Sequence, residues 1–199
     1  MRVDQICDIQ TGYTARGRLS RSPFGVPALQ LGDLNEHDDW SVIHPEQYDL
    51  GEVKDRYFVG SGDVLFRSRG TTTTASAIPD DWPYLAVAIL PLILLKPNKD
   101  LVLPEFLAWS LNQREAQTHF DRSVQGTSVR MVPRAALSDL ELCVPDLKSQ
   151  TLILETNRLA EQAYELDRKA ADLRHHLNSL RLRDAVELAS SKSIAGARA

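Results

Sequence analysis

The sequence predicts an α+β fold, in which a compact mixed strand-and-helix domain is followed by one long, coiled-coil-forming α-helix. Three observations carry this expectation. All ten prolines and nine of the ten glycines lie in residues 1–147, and residues 148–188 contain neither. Short apolar runs bounded by turn residues punctuate the first part, as strands do. In the second part Leu152, Leu159, Leu166, Leu173 and Leu180 stand seven apart, with Thr156, Ala163, Ala170 and Leu177 three residues before the last four. That is a heptad seam with Leu at d and mostly small residues at a. The expected organisation is a head (1–147), a helix (148–188) and a flexible tail (189–199).

Each element has its own signal. Ala28-Leu29-Gln30-Leu31 reads as a short strand. Val64-Leu65-Phe66-Arg67 follows the turn Gly60-Ser61-Gly62-Asp63 and reads as another. Residues 86–95 predict one long or two short strands around Pro91. Pro104 suits a first helical turn, and Phe106, Leu107 and Leu111 share a face, so 104–120 reads as a helix. Leu140-Glu141-Leu142-Cys143-Val144 alternates with a period of two, as a half-buried strand should. Asp146 is the expected N-cap of the long helix. Glu165–Lys169 and Arg168–Asp172 are expected i,i+4 pairs on its surface. A helix of about 40 residues reaches roughly 60 Å. Its stripe needs a partner helix, for which antiparallel pairing of two copies is the first reading; folding back on its own head is the other.

Composition narrows the class. The hydrophobic fraction of 43% and charged fraction of 25% are those of a globular protein. The net charge of −4 argues against a non-specific nucleic-acid binder. Cys7 and Cys143 fit neither a disulfide framework nor a zinc site, so a cytoplasmic setting is expected. The first ten residues lack the apolar stretch of a signal peptide. The longest apolar run, 85–95, is about half a membrane span and is broken by Pro91, so no membrane association is expected.

Charge placement says more than the sum. Residues 1–148 hold 15 Lys and Arg against 20 Asp and Glu, yet none of those acids falls in 9–32, 64–79 or 122–138. The eight basic residues of these windows are all arginine, set among Ser, Thr, Gln and Gly. Arginine can grip guanine O6 and N7 with two hydrogen bonds, and glutamine can do the same for adenine. Hydroxyls and further arginines hold phosphates and fix register. The candidate DNA contacts are therefore Arg16, Arg18 and Arg21; Arg67, Arg69, Thr71, Thr72 and Thr73; and Gln125, Thr127, Ser128 and Arg130. The same composition also describes polar turns with scattered arginines. The candidate dimerisation seam is Leu152, Leu159, Ala163, Leu166, Ala170, Leu173, Leu177 and Leu180.

Catalytic signals are weak. Glu52-Val53-Lys54, with Asp38 or Asp39 upstream, matches part of a nuclease acid-x-Lys motif, but a three-letter match in a charged loop carries little. Asp81-Trp82-Pro83-Tyr84 is similar to the amino-methyltransferase signature, with Trp in place of the first Pro and no glycine-rich cofactor loop upstream; packed aromatics in a turn is the simpler reading. Gly60-Ser61-Gly62 is too short for a phosphate loop. His175-His176 falls on the surface of the helix, and no nucleophile with its base is evident, so no catalytic residue and no metal ligand is assigned.

Three stretches carry a family resemblance: Thr11-Gly12-Tyr13-Thr14 with Gly25-Val26-Pro27; residues 59–70, from Val59-Gly60-Ser61-Gly62-Asp63 to Arg69-Gly70; and Gln125-Gly126-Thr127-Ser128 followed by 137–145 and Gln150. In order and spacing, over about residues 1–185, the chain resembles half of a type I restriction–modification specificity (S) subunit. The resemblance implies a non-catalytic, sequence-specific DNA-recognition subunit. It would read double-stranded DNA for an adenine methyltransferase (M) subunit and, in the complete enzyme, for a restriction (R) subunit. It would bind no cofactor itself, since S-adenosylmethionine and ATP would sit on those partners. Family members usually have two recognition domains separated by two antiparallel helices, and this sequence has one of each. The resemblance therefore implies a half-subunit pairing through its seam, as a homodimer reading a bipartite site. The competing reading is a coiled-coil adaptor or assembly protein whose head binds protein.

Overall fold

A computed structural model describes residues 1–15, 17–34, 39–70, 73–123 and 131–196, with side chains of the last helix described as far as residue 185. The chain divides into two compact units, Met1–Leu154 and Glu155–Ala199.

In chain order the first unit contains α1 (Val3–Ile6), β1 (Cys7–Thr11), β2 (Arg21–Leu29), β3 (Glu46–Tyr48), β4 (Phe58–Val59), β5 (Val64–Arg67), β6 (Ala75–Ala77), β7 (Ala86–Ala88), β8 (Leu92–Pro97), α2 (Pro104–Asn112), α3 (Arg114–Ser123) and α4 (Arg134–Asp139). The long helix, α5, runs over Leu147–Gly196. The strands form two four-stranded sheets, ordered β1-β8-β5-β6 and β3-β2-β7-β4. All pairings are antiparallel except β2 with β7. The chain crosses between sheets at the cis Leu90–Pro91 bond, which separates β7 from β8.

The alternation of side chains along the strands builds a layered core. From β5 and β8, Val64, Phe66, Ile93 and Leu95 meet the helices, where Phe106, Leu107, Leu111 and Phe120 are buried. From the same strands, Leu65, Leu92 and Leu94 point the other way, toward Leu29, Val59, Ala86 and Ala88 of the second sheet. Ala28 and Val87 then face a third layer with Tyr48 and Ile89. Burial on both faces explains why 86–95 reads as a continuous apolar run.

Several expectations are corrected. The strand expected over residues 28–31 is β2, which starts at Arg21 and stops at Leu29, because residues 31–33 wind into a 3₁₀ turn. The helix expected over 104–120 is two helices, broken at Gln113, whose backbone is extended. The break is fixed by Asn112, whose side-chain amide turns out to pair with the backbone of Ala75 on β6 (2.8 Å both ways). Residues 140–144 are not a strand. They keep the alternating burial, but only the short stretch before α1 lies alongside, so pairing stops at one bridge, Arg2 to Glu141. The expected tail is helical to Gly196, since no proline or glycine precedes that residue. Among the described residues the ion pairs on α5 are i,i+3: Glu165 meets Arg168 at 3.1 Å, not Lys169, and Glu155 meets Arg158.

The start of α5 is locked by two devices. Asp146 caps it, accepting from the Ser149 N–H (3.0 Å) and hydroxyl (2.9 Å). Those bonds hold the Asp146 carboxyl below the usual carboxylate range. Gln150 is fully buried; its amide donates to the carbonyls of Leu101 (2.9 Å) and Pro145 (2.7 Å) and accepts from the Leu103 N–H (2.9 Å). Ile153 and Leu154 then pack on the helical core layer.

Candidate nucleic-acid interface

The register of the first sheet brings the arginine-bearing segments to one end. Thr11, the last residue of β1, lies opposite Ile93 near the start of β8. Arg67, the last residue of β5, lies opposite Leu92. Phe66 pairs with Ala75 at the start of β6. The segments following β1 and β5 therefore leave the sheet at the same end. The third segment resumes there as well: Met131 bridges Arg69, and the Val132 N–H donates to the Ser68 carbonyl (2.8 Å).

Local chemistry ties this end together. Ser68 is buried, and its hydroxyl donates to the Pro91 carbonyl (2.6 Å). The Gly12 N–H donates to Leu92 O (2.9 Å). A Cβ on Gly12 would lie 2.7–2.9 Å from Leu92 O, Leu90 N and Ala88 O, so only glycine lets the chain pass this close. Among the described residues Arg67 and Arg69 pair with no acid. Arg69 is exposed. Arg67 is half-buried, and its Nε is enclosed without a hydrogen-bond partner.

The other candidates fare differently. Thr73 is engaged within the chain, donating from its hydroxyl to Gln117 Oε1 of α3 (2.8 Å). Arg21 lies on the second sheet, in an exposed ion pair with Glu46 (2.7 Å). Glu46 also accepts from the Tyr48 hydroxyl (2.7 Å), which in turn accepts from the Gln30 amide (2.7 Å). The acid-free stretch 9–32 thus receives an acid from β3, and Arg21 does not join Arg67 and Arg69 as expected. Arg18 is exposed beside Arg21, along an open cleft with Gln30 and Tyr48. Arg16, Thr71, Thr72, Gln125, Thr127, Ser128 and Arg130 lie outside the described residues, as does Asp38 of the nuclease-like pattern. Among the described residues no three His, Cys, Asp or Glu gather as a metal site.

Sequence reasoning missed Ser68, Asn112 and Gln117, which anchor the arginine-bearing segments. Nothing local marks them, because each acts across the fold.

A family model described as the type I restriction modification DNA specificity domain matches residues 1–157. The chain belongs to this family. No curated protein matches it in sequence. Solved S-subunit structures share the specificity-domain fold at low identity. An HsdS subunit from Thermoanaerobacter tengcongensis superposes with a TM-score of 0.60 at 17% identity, over 84% of this chain and 38% of that one. A chain from a study of complex assembly and conformational transition of the type I R-M system gives 0.60 at 18% identity, over 90% and 42%. The S subunit from M. genitalium gives 0.53 at 13%, over 81% and 38%. This specificity-domain chain thus spans about two-fifths of the length of those relatives. In the leucine seam, Leu159, Leu166, Leu173, Leu177 and Leu180 are all exposed in the single chain, as is Ala163, while Ala170 is half-buried. No helix is long and apolar enough to cross a membrane among the described residues.

Proposed function

We propose that the chain is a DNA-reading half of a type I restriction–modification complex. It recognises double-stranded DNA for an adenine methyltransferase subunit and pairs through its α5 seam with a second copy. What supports the reading most is that Arg67 and Arg69, which pair with no acid among the described residues, stand at one end of the first sheet, within a chain of the specificity-domain family. Arg67 and Arg69 make base or phosphate contacts there, with 71–73 and 125–130 as further reading segments and Arg16 and Arg18 as further phosphate contacts. Arg21 contributes only if DNA draws it from Glu46. The chain performs no catalysis. S-adenosylmethionine and ATP bind the methyltransferase and restriction subunits, and the assembly works in the cytoplasm.

The test is DNA selection by the chain combined with a type I methyltransferase subunit, followed by titration of the selected duplex. A two-part sequence preference is expected. Arg69→Ala should weaken cognate binding by ~1–3 kcal/mol, the scale of a bidentate base contact. Equal affinity for every duplex would overturn the reading.

A further inference from the structure

Beside the second core layer lies a groove that contains none of the candidate DNA contacts. It is a cavity of about 280 Å³ lined by Trp40, His44, Pro79, Asp81, Trp82 and Tyr84, among others. It absorbs the Asp81-Trp82-Pro83-Tyr84 motif of the sequence. Its rings brace one another edge-on: Trp40 to Trp82 at 5.3 Å, Trp82 to Tyr84 at 5.2 Å and Tyr84 to His44 at 5.9 Å.

Both indole N–H groups, the Tyr84 hydroxyl and His44 Nδ1 are already engaged. Trp40 Nε1 donates to the Ser76 hydroxyl (2.9 Å), and Trp82 Nε1 donates to the Ile43 carbonyl (3.1 Å). The Tyr84 hydroxyl and His44 Nδ1 lie 3.0 Å apart. The groove therefore offers ring surface without a free indole donor. A nucleobase, read by hydrogen bonds to its edge, finds few partners here. The cavity of about 280 Å³, walled largely by ring faces, has room for a large aliphatic side chain.

Charge decides between nucleic acid and polypeptide. Asp81 lines the groove. Asp39 holds the lining residue Ser41, accepting from its N–H (3.1 Å) and hydroxyl (2.6 Å). Those bonds hold the Asp39 carboxyl below its ordinary range, so it is ionised at neutral pH. Among the described residues no lysine or arginine lines the cavity. Phosphates are repelled, and a basic group is attracted. Ser76, which holds Trp40, sits on β6 opposite Leu65 of β5, two residues before Arg67.

We propose that this groove docks a partner polypeptide through one large aliphatic side chain, with a neighbouring Arg or Lys meeting Asp39 and Asp81. Such an anchor in a pre-formed aromatic pocket is the arrangement that concentrates binding energy at protein interfaces.

Calorimetric titration of the full chain tests it, with three probes: a capped pentapeptide of leucine flanked by arginines, the same peptide with glutamates, and 2′-deoxyadenosine. The arginine peptide should saturate one site. Asp81→Lys, at an exposed rim position, should weaken it about tenfold, and Ser41→Trp, which fills the groove from an exposed position, should abolish it. Thermal melts of both variants should match the parent. Absence of binding at millimolar peptide, equal binding of the glutamate peptide, or binding that survives Ser41→Trp would each overturn the proposal. So would deoxyadenosine occupying the groove, which would assign it to a base.

Discussion

At the scale of single residues, Arg67 is the informative conflict. Its Nε is buried with no hydrogen-bond partner, on a strand whose facing residue is Leu92. An unsatisfied enclosed donor costs about 1–3 kcal/mol, which stability alone would not favour. A methionine of similar length removes the donor and keeps the packing. Arg67→Met is therefore expected to raise unfolding free energy by roughly 1 kcal/mol in urea melts while weakening cognate DNA binding by ~1–3 kcal/mol. A loss in both measurements would make Arg67 a structural residue. Cys7 illustrates the opposite case, a titratable group the fold has silenced. Burial, with Asp8 and Asp4 adding to it, pushes its thiol from 9.0 up to about 12. A folded-state value above the unfolded one means that the fold favours the protonated form. The contribution is complete below pH 9 and is lost as pH rises from there toward 12. Cys143 is exposed. Thiol titration at pH 8 should count one reactive cysteine in the native chain and two after denaturation; two in the native chain would contradict the burial of Cys7.

Among elements, legibility tracked how local the cause is. β5 matches its apolar run residue for residue, and the strands flanking Pro91 and the long helix were readable because runs, breakers and heptads are written in contiguous sequence. β6 was not, since Ala75-Ser76-Ala77 carries no hydrophobic period and owes its place to pairing with β5 and to Asn112. β1 was passed over although Cys7, Ile9 and their neighbours alternate in burial. The candidate site shows the same divide. Acid-free windows singled out the arginines, but neither the Arg69–Met131 bridge nor the Arg21–Glu46 pair can be seen without the register that creates it. Gln150 is a further residue whose role emerges only in the fold. Replacing it by leucine strands two carbonyls and one N–H in the interior where α5 begins. At ~1–3 kcal/mol for each unsatisfied group, partly relieved by relaxation, Gln150→Leu should cost about 3 kcal/mol in denaturant unfolding. A loss below about 1 kcal/mol would mean that water reaches those groups readily.

For the whole molecule, the proposed pairing raises the question of how a single reading domain would address a two-part target. A negatively charged chain with Arg67 and Arg69 at one end of the first sheet resists non-specific DNA while keeping a local attraction. Under the proposed pairing, the exposed leucines of α5 would supply the other requirement, a second domain held at a set distance. Leu166→Asp with Leu173→Asp should convert the pair to a monomer in sedimentation and abolish the two-part preference, leaving weak binding to one half. A dimeric double variant would overturn the seam. Geometry then gives a sharper expectation. In an antiparallel pair, one heptad inserted into the seam of each helix preserves the pairing register and lengthens the spacer by about 10.5 Å. At 3.4 Å per base pair that is about three base pairs. Selection of bound duplexes should return the same two half-sequences with the gap between them longer by that amount. A four-residue insertion, which breaks the 3.5-residue seam, should instead lower dimer stability. An unchanged gap after the heptad insertion would mean that something other than α5 sets the distance, and would leave the arginine-bearing end as a reader without its ruler.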